Sequence, residues 1–487
     1  MFEHFGASLS GAGWGGASAQ DWSRLDASIQ DFYKALTGDG GSDVATLVGG
    51  SALRRESIEE SLIVATVRPE HFVLWNMLGK TPARSLLHEF ARQNDVSNAL
   101  PGSSAIGETG PIYESSGDYE RKTVKIKLLK DRRVVTLEAE IQAENGLGSA
   151  IARETNAGTL KLMQDAEFLT VYGDSACNVF EFDGLAAILE AQGGANVLDM
   201  RGLPISNDAR EIIDSAQLIW DIDNWGIASD FICSGKVQKH LDLNLSPAHR
   251  VKLESGPQVV YGGSPIIGIS TRFGNLRSTP DPFIQESGAP FIARGGKWAA
   301  ALTGSTTSVV SSIAGVAGAN AASKFLAAHA GNYYYGVQAE RPEAPSALVV
   351  SAQVGVSAGD RVVVTITPPG ANNAKWYRIF RGRKNGTNAA ADLRQIARVP
   401  ANGDNAVVYN DDNQNIPGTS IAFVITRQDE AIMYKRFAGM LRFPLSATTN
   451  TIHTWAQVLD IALQVAKPRQ HRLIKNILPS GVDWEPF

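Results

Sequence analysis

Between Tyr119 and Asp174 the spacing of apolar positions changes period. Val124, Ile126 and Leu128 alternate with Lys125 and Lys127, the two-residue period of a strand wetted on one face. Lys130-Asp131-Arg132 reads as a polar turn, and Arg133 to Leu137 as a returning strand with Val134, Val135 and Thr136. From Leu147 onward Ile151, Leu162, Ala166 and Leu169 fall at helical spacing, while Arg153, Lys161 and Asp165 point elsewhere. Asn145 or Ser149 is the candidate cap, and Gly173 the stop. A helix from Leu147 to Tyr172 would be about 40 Å long at 1.5 Å per residue. Gly158 inside it costs about 1 kcal/mol relative to alanine, so packing has to hold the helix. On periodicity alone, this is a hairpin beside a core helix in an α+β protein.

Upstream, residues 1–18 are Gly, Ala and Ser around Trp14, the composition of a flexible arm. Asp21 to Leu36 predicts an amphipathic helix with Trp22, Leu25, Ile29, Phe32 and Tyr33 on one side. A glycine-rich link, Gly38 to Gly50, leads to a partly helical stretch, Ser51 to Val67. Between Pro69 and Lys80, Phe72, Val73, Leu74, Trp75 and Leu78 form an apolar patch that must be buried. Asn94 to Gly117 is polar and glycine-rich. With the hairpin, Asn98 to Thr136 predicts an extended loop that cannot bury its apolar face alone. A second copy of the chain is the economical neighbour for it.

Downstream, Glu181 to Leu189 turns into a short helix. Asp208 to Trp220 predicts a helix capped by Asn207 or Asp208, Asp230 to Cys233 a buried strand, and Lys236 to Leu245 a helix ended by Pro247. Residues 254–290 are rich in Gly and Pro, with short strands such as Ile266 to Ile269. Ala, Ser, Thr and Gly dominate from Ala299 to Ala330. Strands are then expected at Tyr333–Ala339, Leu348–Val356, Arg361–Thr367, Trp376–Arg381, Ile396–Val399, Asn405–Tyr409 and Ser420–Thr426. Pro368-Pro369-Gly370, Asn385-Gly386 and Asn415-Ile416-Pro417-Gly418 punctuate them. That rhythm is a β-sandwich of roughly seven strands and about a hundred residues. Tyr333 to Tyr335, Trp376 and Tyr377 are its expected core. Longer apolar strands close the chain, Met440–Leu445, Trp455–Val465 and His471–Ile477. The sandwich therefore reads as an insertion into a domain completed by the C-terminus.

A chain of 487 residues has room for two to four domains. Charged residues at 20% and hydrophobic ones at 44% mark it as globular. The net charge of −5 is spread without a basic face, which argues against a dedicated nucleic-acid binder. No apolar run reaches the length of a membrane span, and Met1-Phe2-Glu3-His4 does not open a signal peptide. Two cysteines, Cys177 and Cys233, are expected to be free buried thiols.

Motifs with catalytic spacing fail on inspection. His88-Glu89-Phe90-Ala91-Arg92 lacks the second histidine of a zinc-protease helix. Asp221, Asp223 and Asn224 suggest a calcium loop, but Ile232 stands where its glutamate belongs. Asp411-Asp412-Asn413 is explained by a turn. No catalytic, cofactor-binding or metal-ligating residue is assigned.

Five stretches, in order, carry a family resemblance. Gly49-Gly50-Ser51-Ala52-Leu53-Arg54-Arg55-Glu56-Ser57 looks like the end of an N-terminal arm. Asn98 to Thr136 looks like an extended loop. Leu147 to Tyr172 with Glu181-Phe182-Asp183-Gly184-Leu185 looks like a spine helix and the segment after it. Gly331-Asn332-Tyr333-Tyr334-Tyr335-Gly336-Val337 through Pro417-Gly418 looks like an immunoglobulin-like insertion. Lys467-Pro468-Arg469-Gln470-His471-Arg472-Leu473-Ile474-Lys475-Asn476 looks like a closing peripheral strand. Together they resemble tailed-bacteriophage major capsid proteins of the Hong Kong 97 fold.

The resemblance implies an α+β fold of N-arm, extended loop, spine helix, peripheral and axial domains with an inserted immunoglobulin-like β-sandwich. The implied division is an arm at 1–60; a peripheral domain at 61–180, with the extended loop at 98–136 and the spine helix at 147–172; and an axial domain at 181–294. The sandwich comes next at 295–428, then a return to the core at 429–487. The implied role is a major capsid protein, made in the host bacterial cytoplasm, that self-assembles into the icosahedral virion head around double-stranded DNA. Its partners would be copies of itself in hexamers and pentamers, portal, scaffolding and decoration proteins, and DNA touched non-specifically, with no cofactor and no membrane. An encapsulin-like nanocompartment shell and a β-sandwich adhesion or carbohydrate-binding protein are the alternatives.

Overall fold

The computed structural model describes residues 67–97, 102–112, 114–144, 149–221, 224–244, 268–284, 288, 310–341, 345–370, 372–445, 451–479, 481 and 484–487. The arm, the 21–36 helix, the 38–50 link and Pro247 lie outside these residues. The chain divides into two units. The first, Met1–Ala65 with Gln142–Gly148, lies almost wholly outside the described residues. The second, Thr66–Ile141 with Ser149–Phe487, carries the elements of the fold.

The helices are α1 (Val73–Met77), α2 (Leu137–Glu144), α3 (Ala150–Tyr172), α4 (Leu185–Gln192), α5 (Arg210–Trp220) and α6 (Gly235–Asn244). The strands before the sandwich are β1 (Lys80–Pro82), β2 (Leu87–Asp95), β3 (Asp118–Lys125), β4 (Lys127–Thr136), β5 (Val197–Asp199), β6 (Asp230–Cys233), β7 (Gly268–Thr271) and β8 (Gly274–Pro280). Next come β9 (Ser312–Ala319), β10 (Gly331–Tyr333), β11 (Tyr335–Glu340), β12 (Val349–Val350), β13 (Val354–Val356), β14 (Asp360–Thr367), β15 (Trp376–Gly382), β16 (Leu393–Pro400) and β17 (Val407–Asp411). The chain closes with β18 (Ser420–Ile425), β19 (Ile432–Arg436), β20 (Met440–Leu445), β21 (Ile452–Val465) and β22 (Arg472–Ile477). The architecture is mixed α+β.

The long helix forms as its spacing predicts, and Ser149 is the cap: its Oγ accepts from Ala152 N at 3.3 Å. Glu140 on α2 supports the same end, accepting from Ser149 Oγ at 2.6 Å and Ile151 N at 2.9 Å. Leu162, Ala166, Leu169 and Val171 are buried in one core with Phe72, Leu74 and Trp75 of the apolar patch near α1. Full burial of side chains of this size stabilises by about 1.5–3 kcal/mol each. Glu167, on the same helix, is wholly buried and accepts from Leu74 N at 2.6 Å and Trp75 N at 2.7 Å. It thereby ties α1 to α3.

The expected hairpin around Lys130-Asp131-Arg132 does not exist. β4 runs straight through those residues and pairs antiparallel with β21, from Thr136↔Ile452 to Lys127↔Ile461. The polar triplet is not a turn because Asp131 faces the helix. Arg133 Nε contacts Asp131 Oδ2 at 2.6 Å, and Arg133 Nη1 contacts Glu154 Oε2 of α3 at 2.9 Å. The hairpin that forms is β2 with β3, Leu87↔Lys125 to Asp95↔Asp118. β21 also pairs with β19 and β20 on its other edge, and β19 takes β1.

Gly158 marks the closest approach of α3 to this sheet. A Cβ there would collide with Gln457 Oε1, and Gln457 Nε2 donates to Thr155 O at 2.9 Å. The glycine that weakens the helix intrinsically lets β21 lie against it.

A second sheet, ordered β5-β22-β18-β6-β8-β7, buries Phe231, Cys233, Ala422, Val424 and Ile474 with Ile212 and Ala216 of α5 and Val237 and Leu241 of α6. The spacing of Ser420–Thr426 places it in the sandwich, but β18 sits between β22 and β6. Its Ala422, Phe423, Val424 and Ile425 are all buried, as in a strand covered on both faces. α5 is preceded by Ala209 at φ 50 rather than capped by Asn207 or Asp208. Ser206 Oγ accepts from Arg210 N at 3.3 Å, and Glu211 accepts from Ser206 N at 3.0 Å.

The sandwich strands form sheets β12-β11-β15-β16 and β17-β14-β9, with the pair β10-β13. Their apolar residues share one core that includes Tyr333, Tyr335, Val337, Val362, Val364, Tyr377 and Ile379. Trp376 and Tyr334 are only partly buried, and Tyr334 separates β10 from β11. β9 comes from the small-residue stretch, whose composition predicts no strand. It pairs along the whole of β14, and a Cβ on Gly315 would sit 2.8 Å from Val354 Cγ2.

Gly158→Leu should lower unfolding stability by roughly 2–3 kcal/mol in urea melts, because Gln457 must move and its bond to Thr155 breaks. Adding Gln457→Ala should recover part of that loss. His471 is fully buried, and burial holds its pKa down to about 4 from 6.5, with Nδ1 accepting from Thr426 N at 3.3 Å. The folded chain therefore binds fewer protons than the unfolded one between those values. Stability should fall by up to about 3 kcal/mol as pH drops from 6.5 towards 4. His471→Gln should flatten that limb of a pH series of urea midpoints.

Candidate assembly surfaces

The β2–β3 hairpin has no core of its own: along both strands every residue is exposed or half-buried. Charges hold it instead. Arg92 contacts Glu120 at 2.6 Å and donates to Ala466 O at 3.3 Å, which pins the hairpin to the body. Lys122 also contacts Glu120, and that hydrogen bond is the leading reason the Glu120 carboxyl is held down to about 2. Past the strands, Val96 and Ile112 are 81% and 92% exposed. From Val96 to Gly117 the sequence has Glu108 and Glu114 and no Lys or Arg. Of the stretch expected as an extended loop, 98–136, residues 127–136 belong to the body sheet and 118–125 pair with β2. Residues 98–101 and 113 of it lie outside the described residues.

A second surface is the side of β4–β21–β20 turned away from α3. Strand alternation places Leu128, Lys130, Arg132 and Val134 of β4 there, across from Asp460, Val458, Ala456 and Thr454. Leu441, Phe443 and Leu445 of β20 complete the row. The five large apolar residues of this face are 37–48% exposed. Contiguous apolar area of this kind marks an interaction surface. β20 is also an edge strand, a position that templates further pairing.

The residues weighed for chemistry are dispersed or structural. His88 to Arg92 lie on β2, a strand. Asp221 ends α5, and Asn224 Nδ2 donates to Leu218 O at 2.6 Å; Asp223 lies outside the described residues. Asp411-Asp412-Asn413 does more than turn the chain. Asp411 meets the wholly buried Arg381 at 2.7 Å and accepts from Tyr335 OH at 2.9 Å. Asn413 Oδ1 accepts from Arg381 Nη2 at 2.7 Å, and Asp412 pairs with Arg361 at 2.6 Å. This cluster fixes the sandwich core.

Burial, then Asp281, pushes the Glu167 carboxyl up to about 8, and burial pushes Asp281 up to about 6. Both are 0% exposed, so substrate has no access to them. Cys177 and Cys233 are free and buried, as expected, and burial pushes the Cys177 thiol up to about 11. Among the described residues no group of three His, Cys, Asp or Glu could hold a metal ion, and no helix is long and apolar enough to cross a membrane.

One contact is invisible in the sequence. Arg398 of β16 donates to Glu181 Oε2 at 2.9 Å and to Tyr172 O at 3.0 Å. A sandwich cation thus sits at the C-terminus of α3, where the helix dipole favours it. The partners are 217 residues apart, so no spacing signals the pair. Arg398→Ala leaves Glu181, 10% exposed, without its cation. The expected loss is about 3 kcal/mol in denaturant melts. Arg398→Lys should recover only part, since lysine lacks the two-pronged geometry.

No family model matches the chain. The chain is 21% identical over 469 residues to the major capsid protein of Staphylococcus phage S25-3, covering 92% of this chain and 95% of the relative. The same identity and coverage hold for the major capsid protein of Staphylococcus phage K. Among solved structures, the capsid of a native GTA particle aligns with TM-score 0.47 and 9% identity, over 89% of this chain and 99% of that one. The capsid of Myoviridae Phage XM1 gives 0.40 and 10%, over 90% and 99%. An encapsulin complex from Synechococcus elongatus gives 0.41 and 8%, over 92% and 99%. These structural overlaps are loose.

Proposed function

We infer that this chain is a major capsid protein, a structural subunit rather than an enzyme, which self-assembles into the icosahedral head shell around the double-stranded DNA of a tailed bacteriophage. The observation that carries this is the end-to-end likeness to major capsid proteins, 92% of this chain against 95% of the relative. Its architecture is that of the Hong Kong 97 fold, with α3 as the spine helix, β2–β3 as the extended loop and residues 1–60 as the N-arm. The sheet around β21 is the peripheral domain and that around β18 the axial one. Strands β9 to β17 are an immunoglobulin-like insertion. It faces outward, because DNA fills the interior and neighbours occupy the sides. Copies join as hexamers and pentamers. Portal, scaffolding and decoration proteins complete the head, which is built in the host cytoplasm.

The surfaces support this reading. A shell subunit needs contact area rather than a pocket, and a coreless hairpin with an apolar sheet face supplies it. Repetition over many copies holds the shell through avidity. A net charge of −5 suits a container that must release its DNA.

Electron microscopy of the purified recombinant chain tests the reading. Hollow shells or capsomers are expected, and dispersed monomers at high concentration would overturn it. Replacing Val96–Gly117 by a short Gly-Ser turn should leave a soluble subunit with an unchanged circular-dichroism melt that no longer closes shells. The deletion stops before Lys127 because β4 belongs to the body. Normal shells from it would remove the hairpin loop from the assembly contacts.

A further inference from the structure

The sandwich sheet β17-β14-β9 ends on one side at β9. We propose that the free edge of β9 pairs antiparallel with β9 of a second copy, centred on Val316, so that two three-stranded sheets become one of six strands. The contact joins sandwich to sandwich. It is separate from the hairpin and from the apolar sheet face, and it does not rest on the shell reading.

β9 pairs with β14 from Ser312↔Thr367 to Ala319↔Asp360. In an antiparallel ladder, hydrogen-bonded and open pairs alternate. Asn320 N donates to Gly359 O at 2.9 Å, which sets the phase. Ala314, Val316 and Gly318 therefore direct their backbone groups at β14. Ile313, Gly315, Ala317 and Ala319 direct theirs the other way. Among the described residues, no backbone bond reaches those four from the open side. Ala319 is exposed and the other three are half-buried, so a strand can reach the edge.

Other edges of this fold are guarded. β20 carries Arg442 and Pro444, and β16, the edge of the facing sandwich sheet, carries Arg394, Arg398 and Pro400. Charge and proline are the usual means of stopping an edge from templating another strand. Ser312–Ala319 has neither along its eight residues. Val316, on its outer face, is 65% exposed.

The occupant has to be a strand, because it must match backbone groups on four residues. β9 itself meets that need. It bears no charge to repel a copy, and a charged strand would find no opposite charge on it. The four outward residues are also symmetric about Val316. Ile313 opposite Ala319 of the second copy, and Gly315 opposite its Ala317, use all four on both chains, about eight hydrogen bonds. Val316 then faces Val316 of the second copy in an open pair, and Ala314 faces Gly318. Cross-strand neighbours in such pairs touch, so the two exposed valines cover each other. A two-fold axis normal to the sheet generates the contact.

The experiment uses the full chain at high concentration under mild oxidation. Val316→Cys alone should give a covalent dimer on a non-reducing gel, because Cα atoms of an open pair lie about 4.5 Å apart, within disulfide reach. Its yield should be at least fivefold above that of Val408→Cys, a position 55% exposed on β17 of the same sheet. Cys177 and Cys233 are buried, so they give little background. Ala314→Cys and Gly318→Cys test the register: mixed, they should link, and either alone should not. A Cβ on Gly318 meets no atom within 4 Å, so the fold accommodates that variant. Ala317→Pro, added to Val316→Cys, removes an outward N–H and spares the bonds to β14. It should cut the dimer yield several-fold at an unchanged circular-dichroism melt. A Val316→Cys yield no higher than that of Val408→Cys overturns the pairing, and is also the result if residues 289–309 cover the edge. Equal linking by Ala314→Cys alone, or a dimer yield indifferent to Ala317→Pro, overturns it too. Shells that form without the Val316→Cys link overturn the pairing and leave the capsid reading standing. The link in a chain that forms no shells supports the pairing and removes the capsid reading.

Discussion

β21 has to satisfy the backbones of three other strands while leaving one face flat enough for a helix. Its fourteen residues bond β4 along one edge and β19 then β20 along the other. Its helix-facing side puts Gln457, Leu459, Ile461 and Leu463 towards the α3 side of the sheet. Close approach requires a residue without Cβ at Gly158, and a helix that contains glycine then needs the strand to hold it. Helix and strand are therefore conditional on each other, although about 300 residues of chain separate them. Pairings of such long range carry a large loop-closure cost before they repay it. The sheet beside α3 is completed only when β21 joins it.

Buried charge follows the same logic of distant partners. Arg381 with Asp411, Arg398 with Glu181 and Glu167 with the α1 backbone each join segments far apart in sequence. A buried pair adds little net stability over an apolar substitute, but half of one is costly. Its effect is to penalise every arrangement in which the partner is missing. For the strands β9 to β17, that fixes one docking. Arg398 meets the end of α3 at Tyr172 O, so the sandwich is keyed to the longest helix.

Local grammar is legible in the sequence and long-range pairing is not. Ser149 and Gly173 bound α3 because caps act within a turn. Tyr333, Tyr335 and Tyr377 are core because aromatics in strand runs seldom have elsewhere to go. The Lys130-Asp131-Arg132 triplet misleads because a polar run looks alike whether it meets water or an ion partner on a helix. β9 escapes notice because Gly315 and its alanines have little strand preference; the tight fit against Val354 chooses them. β18 reads as part of the wrong sheet because a strand shows its own period but not its neighbour.

The open surfaces of the subunit match what a shell would complete. A two-stranded hairpin is marginal in water. This one is held to the body by Arg92, towards the loop end of β2, while its loop exposes Ile112. An apolar sheet face stands open beside it, though Lys130 and Arg132 keep that face soluble. Both surfaces expose large apolar side chains, as do Val179, Phe180 and Leu243 elsewhere. Each contact can then be weak. A subunit bound by several weak contacts can leave a wrong position and return, whereas one strong contact would trap it. Charge along the hairpin, apolar side chains at its loop and on the sheet, and rigid buried pairs between are the distribution that the proposed shell calls for.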